Sequence, residues 1–112
     1  TTGRDGRRYS QESIVLGGDP FGNKTKGPYL ILSDNTHPFY GQEYVTAVIT
    51  TTARQEAIEL TSSRYRRGKL PRKSYISPWS VTTIKDSMIS QKPAEATEKA
   101  VDDTRNELNR YL

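Results

Sequence analysis

The chain has 112 residues, of which 32% are hydrophobic and 27% charged, with a formal net charge of +4 and no cysteine. That length sets a single domain as the prior, and a domain so small buries only somewhat more than about 60% of its unfolded surface, so self-association is a natural route to further burial. The lack of cysteine excludes a disulfide framework and any thiolate metal site; no apolar run approaches the roughly 20 residues of a membrane helix and no signal-like segment is legible, so a soluble, cytoplasmic protein is expected.

In chain order, residues 1–10 ("TTGRDGRRYS") are polar, basic and glycine-bearing, the composition of a flexible arm. "ESIVLG" predicts a short strand, and "GGDPFGNKTKGP" a long mobile loop carrying Lys24 and Lys26. "YLILS" is almost wholly apolar and predicts a strand buried on both faces. After a turn-rich "DNTHPFYGQ", "EYVTAVITT" alternates. Val45, Ala47 and Ile49 make the better core face, and Tyr44, Thr46, Val48 and Thr50 the more polar one. "EAIEL" alternates as a further strand. "RYRRGKLPRK" reads as a basic loop, followed by "SYISP" and "WSVTTIK" as two strands broken at Pro78. From Pro93 the pattern turns helical, with a proline suited to a first turn, an apolar stripe through Val101, Thr104 and Leu108, and a Glu95–Lys99 pair at i,i+4.

The expected organisation is an arm over 1–10, a barrel domain over 11–92 and a helix over 93–112 packed on it. The fold class is mainly β within α+β, a small barrel or rolled sheet of about five to seven strands with a C-terminal helix. Charge is unevenly placed. The helix holds Glu95, Glu98, Asp102, Asp103 and Glu107 against Lys99, Arg105 and Arg110, so the positive excess lies in residues 1–92. A polyanion, nucleic acid first, is the partner such a charge attracts; solubility is the plainer explanation.

Several chemistries fail on the residues present. "GNKTKG" begins like a phosphate loop, but Pro28 stands where the lysine belongs. His37 is the only histidine and the carboxylates are scattered, so no metal or metal cofactor is expected. A Ser-His-Asp triad would have to be built on His37, and geometry rather than composition decides that. What remains is a hydroxyl cluster (Thr50, Thr51, Thr52), Lys24 and Lys26, the basic stretch, and the aromatics Tyr40, Tyr65 and Trp79. Lysine and arginine bind backbone phosphate, hydroxyls donate to phosphate oxygens, and aromatics stack on unpaired bases. Such a set can also cleave RNA without metal, because RNA supplies its own 2′-OH nucleophile and needs only a base, an acid and donors for the phosphorane. Each piece has a plainer counterpart: threonine fits strands, a basic run is commonly solvated surface, and a lone tryptophan is commonly core.

Three segments together resemble the MazF/PemK family of toxin ribonucleases: "SIVLGGDPFGNKTKGPYLILS", "VTAVITTT" and "GKLPRKSYISPWSVTTIK". The likeness runs over about residues 12–90. It implies an SH3-like barrel, a homodimer, an antitoxin protein as partner, and metal-independent cleavage of single-stranded RNA to 2′,3′-cyclic phosphate and 5′-OH ends. In that resemblance Thr50 takes the position that holds the scissile phosphate, with Thr51 beside it. Gly27 stands where the family has its catalytic arginine, and Ser77-Pro78-Trp79 falls where some members carry Arg-x-Asp. The catalytic candidates are therefore Thr50, Lys26 as substitute cation, and His37. The RNA-binding candidates are Lys24, Thr51, Arg54, Ser77, Trp79, Arg64, Arg66 and Arg67. The alternative is a catalytically inactive RNA- or protein-binding module, as in the related CcdB-type toxins.

Overall fold

The computed structural model describes residues 9–18 and 27–112. Most of the expected arm, and the loop lysines Lys24 and Lys26, lie outside the described residues. No helix among those residues is long and apolar enough to cross a membrane.

The elements in chain order are β1 (Ser13–Gly17), β2 (Gly27–Ile31), β3 (Glu43–Thr50), β4 (Ile58–Glu59), β5 (Tyr65–Gly68), β6 (Tyr75–Lys85), β7 (Ile89–Ala96) and α1 (Glu98–Arg110). The strands form one antiparallel sheet in the order β4-β6-β3-β2-β1-β7-β5. β4 and β5 lie at opposite edges, yet only Leu60, Thr61 and a 3-10 turn at Ser62–Arg64 join them. So short a link is possible only because the sheet curls into a half-barrel that brings its edges together.

Both faces of the sheet carry core. Ile14, Leu30, Ala47, Ile49, Ile76 and Val101 belong to one apolar cluster, with α1 closing over it. Val15, Tyr29, Ile31, Tyr44, Ile84 and Ile89 form the second. β2 is buried on both faces, as its near-continuous apolar sequence predicts. The "polar" face of β3 is less polar than its alternation suggests, because Tyr44 is fully buried there. The Tyr44 hydroxyl donates to Asp86 Oδ1 at 3.0 Å and accepts the Tyr9 N–H at 3.1 Å. Burial, with Asp86 adding to it against the Tyr9 bond, pushes the phenol up to about 12.

Two boundaries differ from the sequence expectation, each at a proline. Pro78 does not split a strand; it lies within the continuous β6. The β3–β6 register jumps from Ala47↔Val81 to Val48↔Ser77, leaving Pro78, Trp79 and Ser80 as a bulge. A residue without an N–H is accommodated where the ladder asks for none. Likewise Pro93 lies in β7, where the β1–β7 pairing slips between Ala94 and Gln91, and not in the helix. The helix begins at Glu98 after Thr97, whose side chain accepts the Ala100 N–H at 3.1 Å as an N-cap. Consequently Lys99 pairs with Asp103 at 3.3 Å, and Glu95 pairs with Arg66 and Lys92 instead. The basic stretch is also more ordered than a loop, since Tyr65–Gly68 is an edge strand. Arginines on a sheet edge discourage unwanted strand pairing.

Candidate active site

Thr50 is the last residue of β3 and is half-buried. Its Oγ1 accepts the N–H of Thr52 at 3.1 Å, so the hydroxyl closes the turn by which the chain leaves the sheet. That bond uses an oxygen lone pair and leaves the O–H free to donate. Thr51, Thr52 and Arg54 follow on an exposed loop.

The sheet register sets the surroundings of Thr50. It is paired with Tyr75 on β6, and Tyr75 is paired on its other side with Glu59 on β4. Direct antiparallel partners share a face, with Cβ atoms about 4.5–5.5 Å apart. On the other flank, β2 and β3 pair as Tyr29↔Val48, Leu30↔Ala47 and Ile31↔Thr46. Continued by two residues, that register brings Gly27 across from Thr50. A Cβ at Gly27 would meet nothing within 4 Å. Nor does Gly27 have a positive φ; among the described residues those glycines are Gly41 and Gly68. The paired cross-strand row therefore reads Thr50, Tyr75, Glu59, with Gly27 opposite Thr50 only by extension of the β2–β3 register past its last pair. Lys73 reaches Glu59 Oε2 at 3.5 Å from the same end of β6. Ser77, one same-face step along β6, is buried and paired with Val48.

Trp79 stands out of the β6 bulge and meets Tyr111 edge-on, with ring centroids 6.4 Å apart and planes at 88°. With Arg54 and Glu56 these rings line an open pocket of about 330 Å³. It adjoins a cleft of about 690 Å³ between the 55–58 segment and the second half of α1. The other two aromatics are not free platforms. Tyr65 packs on the core and its oxygen accepts the Leu70 N–H at 3.2 Å, while Tyr40 packs edge-on to Tyr44.

The basic residues divide into two groups. Arg64 donates to the Glu59 carbonyl at 2.9 Å and, with Lys73, gathers at β4. Arg66 is clamped by Glu12 and Glu95, each at 2.8 Å, across the β5–β7 edge. Lys92 first and Arg66 next hold the Glu95 carboxyl below the usual carboxylate range. Arg67 approaches Glu95 only at 4.0 Å, with its side chain 82% exposed, so it is the freer of the pair.

His37 is not brought to Thr50. It lies in the 32–42 loop that leads into the start of β3, whereas Thr50 ends that strand. Eight residues rising about 3.3 Å each put roughly 23 Å between the strand's ends. Nor do its neighbours form a triad. His37 Nδ1 accepts the Phe39 N–H at 3.0 Å, so it has no proton to offer a carboxylate. Asp34 Oδ1 is taken by the Thr36 N–H and hydroxyl, and Ser33 Oγ accepts the Val45 N–H. Sequence reasoning singled out Thr50 and passed over Tyr75, Glu59 and Lys73, which the sheet register sets near it. The signal for Lys73 and Tyr75 was their i,i+2 spacing with Ser77; Glu59 needed the sheet order.

The class this geometry defines is a curled β half-barrel with one terminal helix, the fold of MazF toxins. No protein-family model and no curated protein matches the sequence. Among solved structures, the chain is similar to the MazE–MazF complex (Form-II) from Deinococcus radiodurans, with a TM-score of 0.71 at 15% identity over 94% of this chain and 95% of that one. It is similar also to an endoribonuclease in complex with its cognate antitoxin from a mycobacterial species (TM-score 0.67, 16% identity, 93% and 91% covered). Mycobacterium tuberculosis toxin MazF-mt6 matches at TM-score 0.63 and 18% identity, over 86% and 90%. At these identities the likeness is one of fold.

Proposed function

We propose that this protein is the toxin of a toxin–antitoxin pair and a metal-independent endoribonuclease acting on single-stranded RNA. The observation that carries the proposal is Thr50: a hydroxyl fixed by its own turn, its proton free to donate, at the rim of a MazF-fold sheet. The 2′-oxygen attacks phosphorus, the 5′-oxygen leaves, and the products are a 2′,3′-cyclic phosphate and a 5′-OH. Thr50 donates to a non-bridging oxygen, and Lys26 is the first candidate for the cation facing the phosphorane. Lys24, Thr51, Arg54, Trp79, Arg64, Arg66 and Arg67 form the proposed RNA path, with Arg67 freer than Arg66 to meet phosphate, while buried Ser77 offers RNA no exposed surface. The remote position of His37 gives it no part in this step.

A homodimer and an antitoxin partner belong to the same proposal. Trp79, Val81, Tyr111 and Leu112 are 38, 40, 46 and 90% exposed. Trp79 and Tyr111 meet edge-on, and an exposed aromatic pair of this kind suits a second copy. Relatives of the fold were solved with a cognate antitoxin or with MazE. One observation favours a second reading, a binding module that does not cut: Gly27 offers no charge beside Thr50. Incubation with a long unstructured RNA in EDTA, with mapping of product ends, separates the two.

A further inference from the structure

We infer that Tyr75 and Glu59 are the acid and base of the proposed cleavage, with Lys73 positioning Glu59. This rests on the ribonuclease reading and names residues that the resemblance does not supply.

The argument starts from the register. Tyr75 lies between Thr50 and Glu59, one strand spacing of about 4.8 Å from each. Ladder partners share a face, so the three side chains leave the sheet together. All three are half-buried, shielded by neighbours yet open to a ligand. Among the described residues, the Tyr75 hydroxyl has no hydrogen-bond partner, and the Glu59 carboxylate meets only Lys73. The row thus holds a hydroxyl donor, a phenol and a carboxylate at successive strand spacings, the phenol about 4.8 Å and the carboxylate about 10 Å along the sheet from Thr50, with the Lys73 ammonium 3.5 Å from that carboxylate. A 2′-OH cleavage needs those types, and no other described cluster offers them near Thr50.

The step balances without a further reactant. Glu59 takes the 2′-OH proton as the O2′–P bond forms. The P–O5′ bond breaks as the Tyr75 phenol gives its proton to O5′. Water then removes the proton from Glu59 and returns one to Tyr75. Lys73 touches no reacting atom; its ion pair keeps the carboxylate turned toward the row.

The test uses the full chain and a short single-stranded RNA, with melting temperature and RNA affinity measured beside the rate. The ion pair is exposed and therefore contributes little to stability, and Tyr75→Phe keeps the ring, so the variants should fold. Glu59→Gln and Tyr75→Phe should each lower kcat by about 10²- to 10⁴-fold at unchanged affinity. Glu59→Gln should also remove the acid limb of the pH–rate profile. A 5′-bridging phosphorothiolate substrate, whose sulfur leaves without a proton, should restore the rate of Tyr75→Phe and not that of Glu59→Gln. Lys73→Ala should lower kcat at unchanged affinity, and Lys73→Arg should restore it. Wild-type cleavage with full-rate, unchanged profiles in Glu59→Gln and Tyr75→Phe overturns this inference and leaves the ribonuclease reading standing. Wild-type protein that binds RNA but cuts none overturns both.

Discussion

Thr50 shows how one side chain serves the strand's exit and a candidate site together, because the oxygen that accepts the Thr52 N–H is bonded to a hydrogen pointing elsewhere. Gly27, which the β2–β3 register extended past its last pair sets opposite Thr50, is the position with the sharpest consequence. Glycine is required where φ is positive; Gly27 is not such a residue, and space for a side chain is open. Gly27→Arg should therefore fold with a stability change within about 0.5 kcal/mol. Its planar donor beside Thr50 should raise the cleavage rate by roughly 10²- to 10³-fold, checked by melting curves and initial rates together. Thr50 was legible because alternation and the strand's end are both local. Its partners Tyr75 and Glu59 were not, since no local pattern encodes which strand lies beside which. Tyr44 supplies a prediction of its own. Its folded-state pKa of about 12 exceeds the unfolded value of 10, so the neutral phenol is favoured on folding. That contribution is fully present below pH 10 and is lost as pH rises toward 12. Denaturant titrations across this range should show stability falling in the wild type, with a shallower fall in Tyr44→Phe.

At the scale of elements, the strands were readable from their apolar patterns, and the helix from its 3.6-residue stripe. The two misplaced boundaries share a cause. Proline signals a missing N–H, which suits a helix's first turn, a strand break and a bulge equally. Only the pairing partners of β6 and β7 decide among these. Ala94 and Ala96, buried in β7, carried the alternation that the helical assignment passed over. A glycine now explains why β5 can lie against that bulged strand. Gly68 has φ +62, and a Cβ there would stand 2.3 Å from the Pro93 carbonyl oxygen. Gly68→Ala should cost about 2–3 kcal/mol through backbone strain and the forced separation of β5 from β7. Thermal unfolding would register this as a drop of roughly 8 °C or more; an unchanged melting temperature would show that the β5–β7 edge gives way freely.

For the whole molecule, the half-barrel leaves Trp79 of the β6 bulge and Tyr111 at the end of α1 exposed and in edge-on contact, while exposed Phe39 lies apart from them in the 32–42 loop. A dimer through the surface around Trp79 and Tyr111 should bury about 800 Å² or more per protomer. Sedimentation at tens of micromolar should give the dimer mass, and Trp79→Ser with Tyr111→Ser should give the monomer; a monomeric wild type would contradict the proposed assembly. Composition and strand pattern made the barrel class legible, but not the pairing of β1 with β7 or the meeting of the sheet's edges, which depend on contacts far apart in sequence. The central claim is that the rim around Thr50 cuts RNA. The direct measurement is incubation of the purified chain with a long unstructured RNA in excess EDTA, followed by chemical mapping of the fragment ends. The account predicts discrete fragments bearing 2′,3′-cyclic phosphate and 5′-OH ends, formed in EDTA as in its absence. Intact RNA, or fragments with 5′-phosphate and 3′-OH ends, would contradict it.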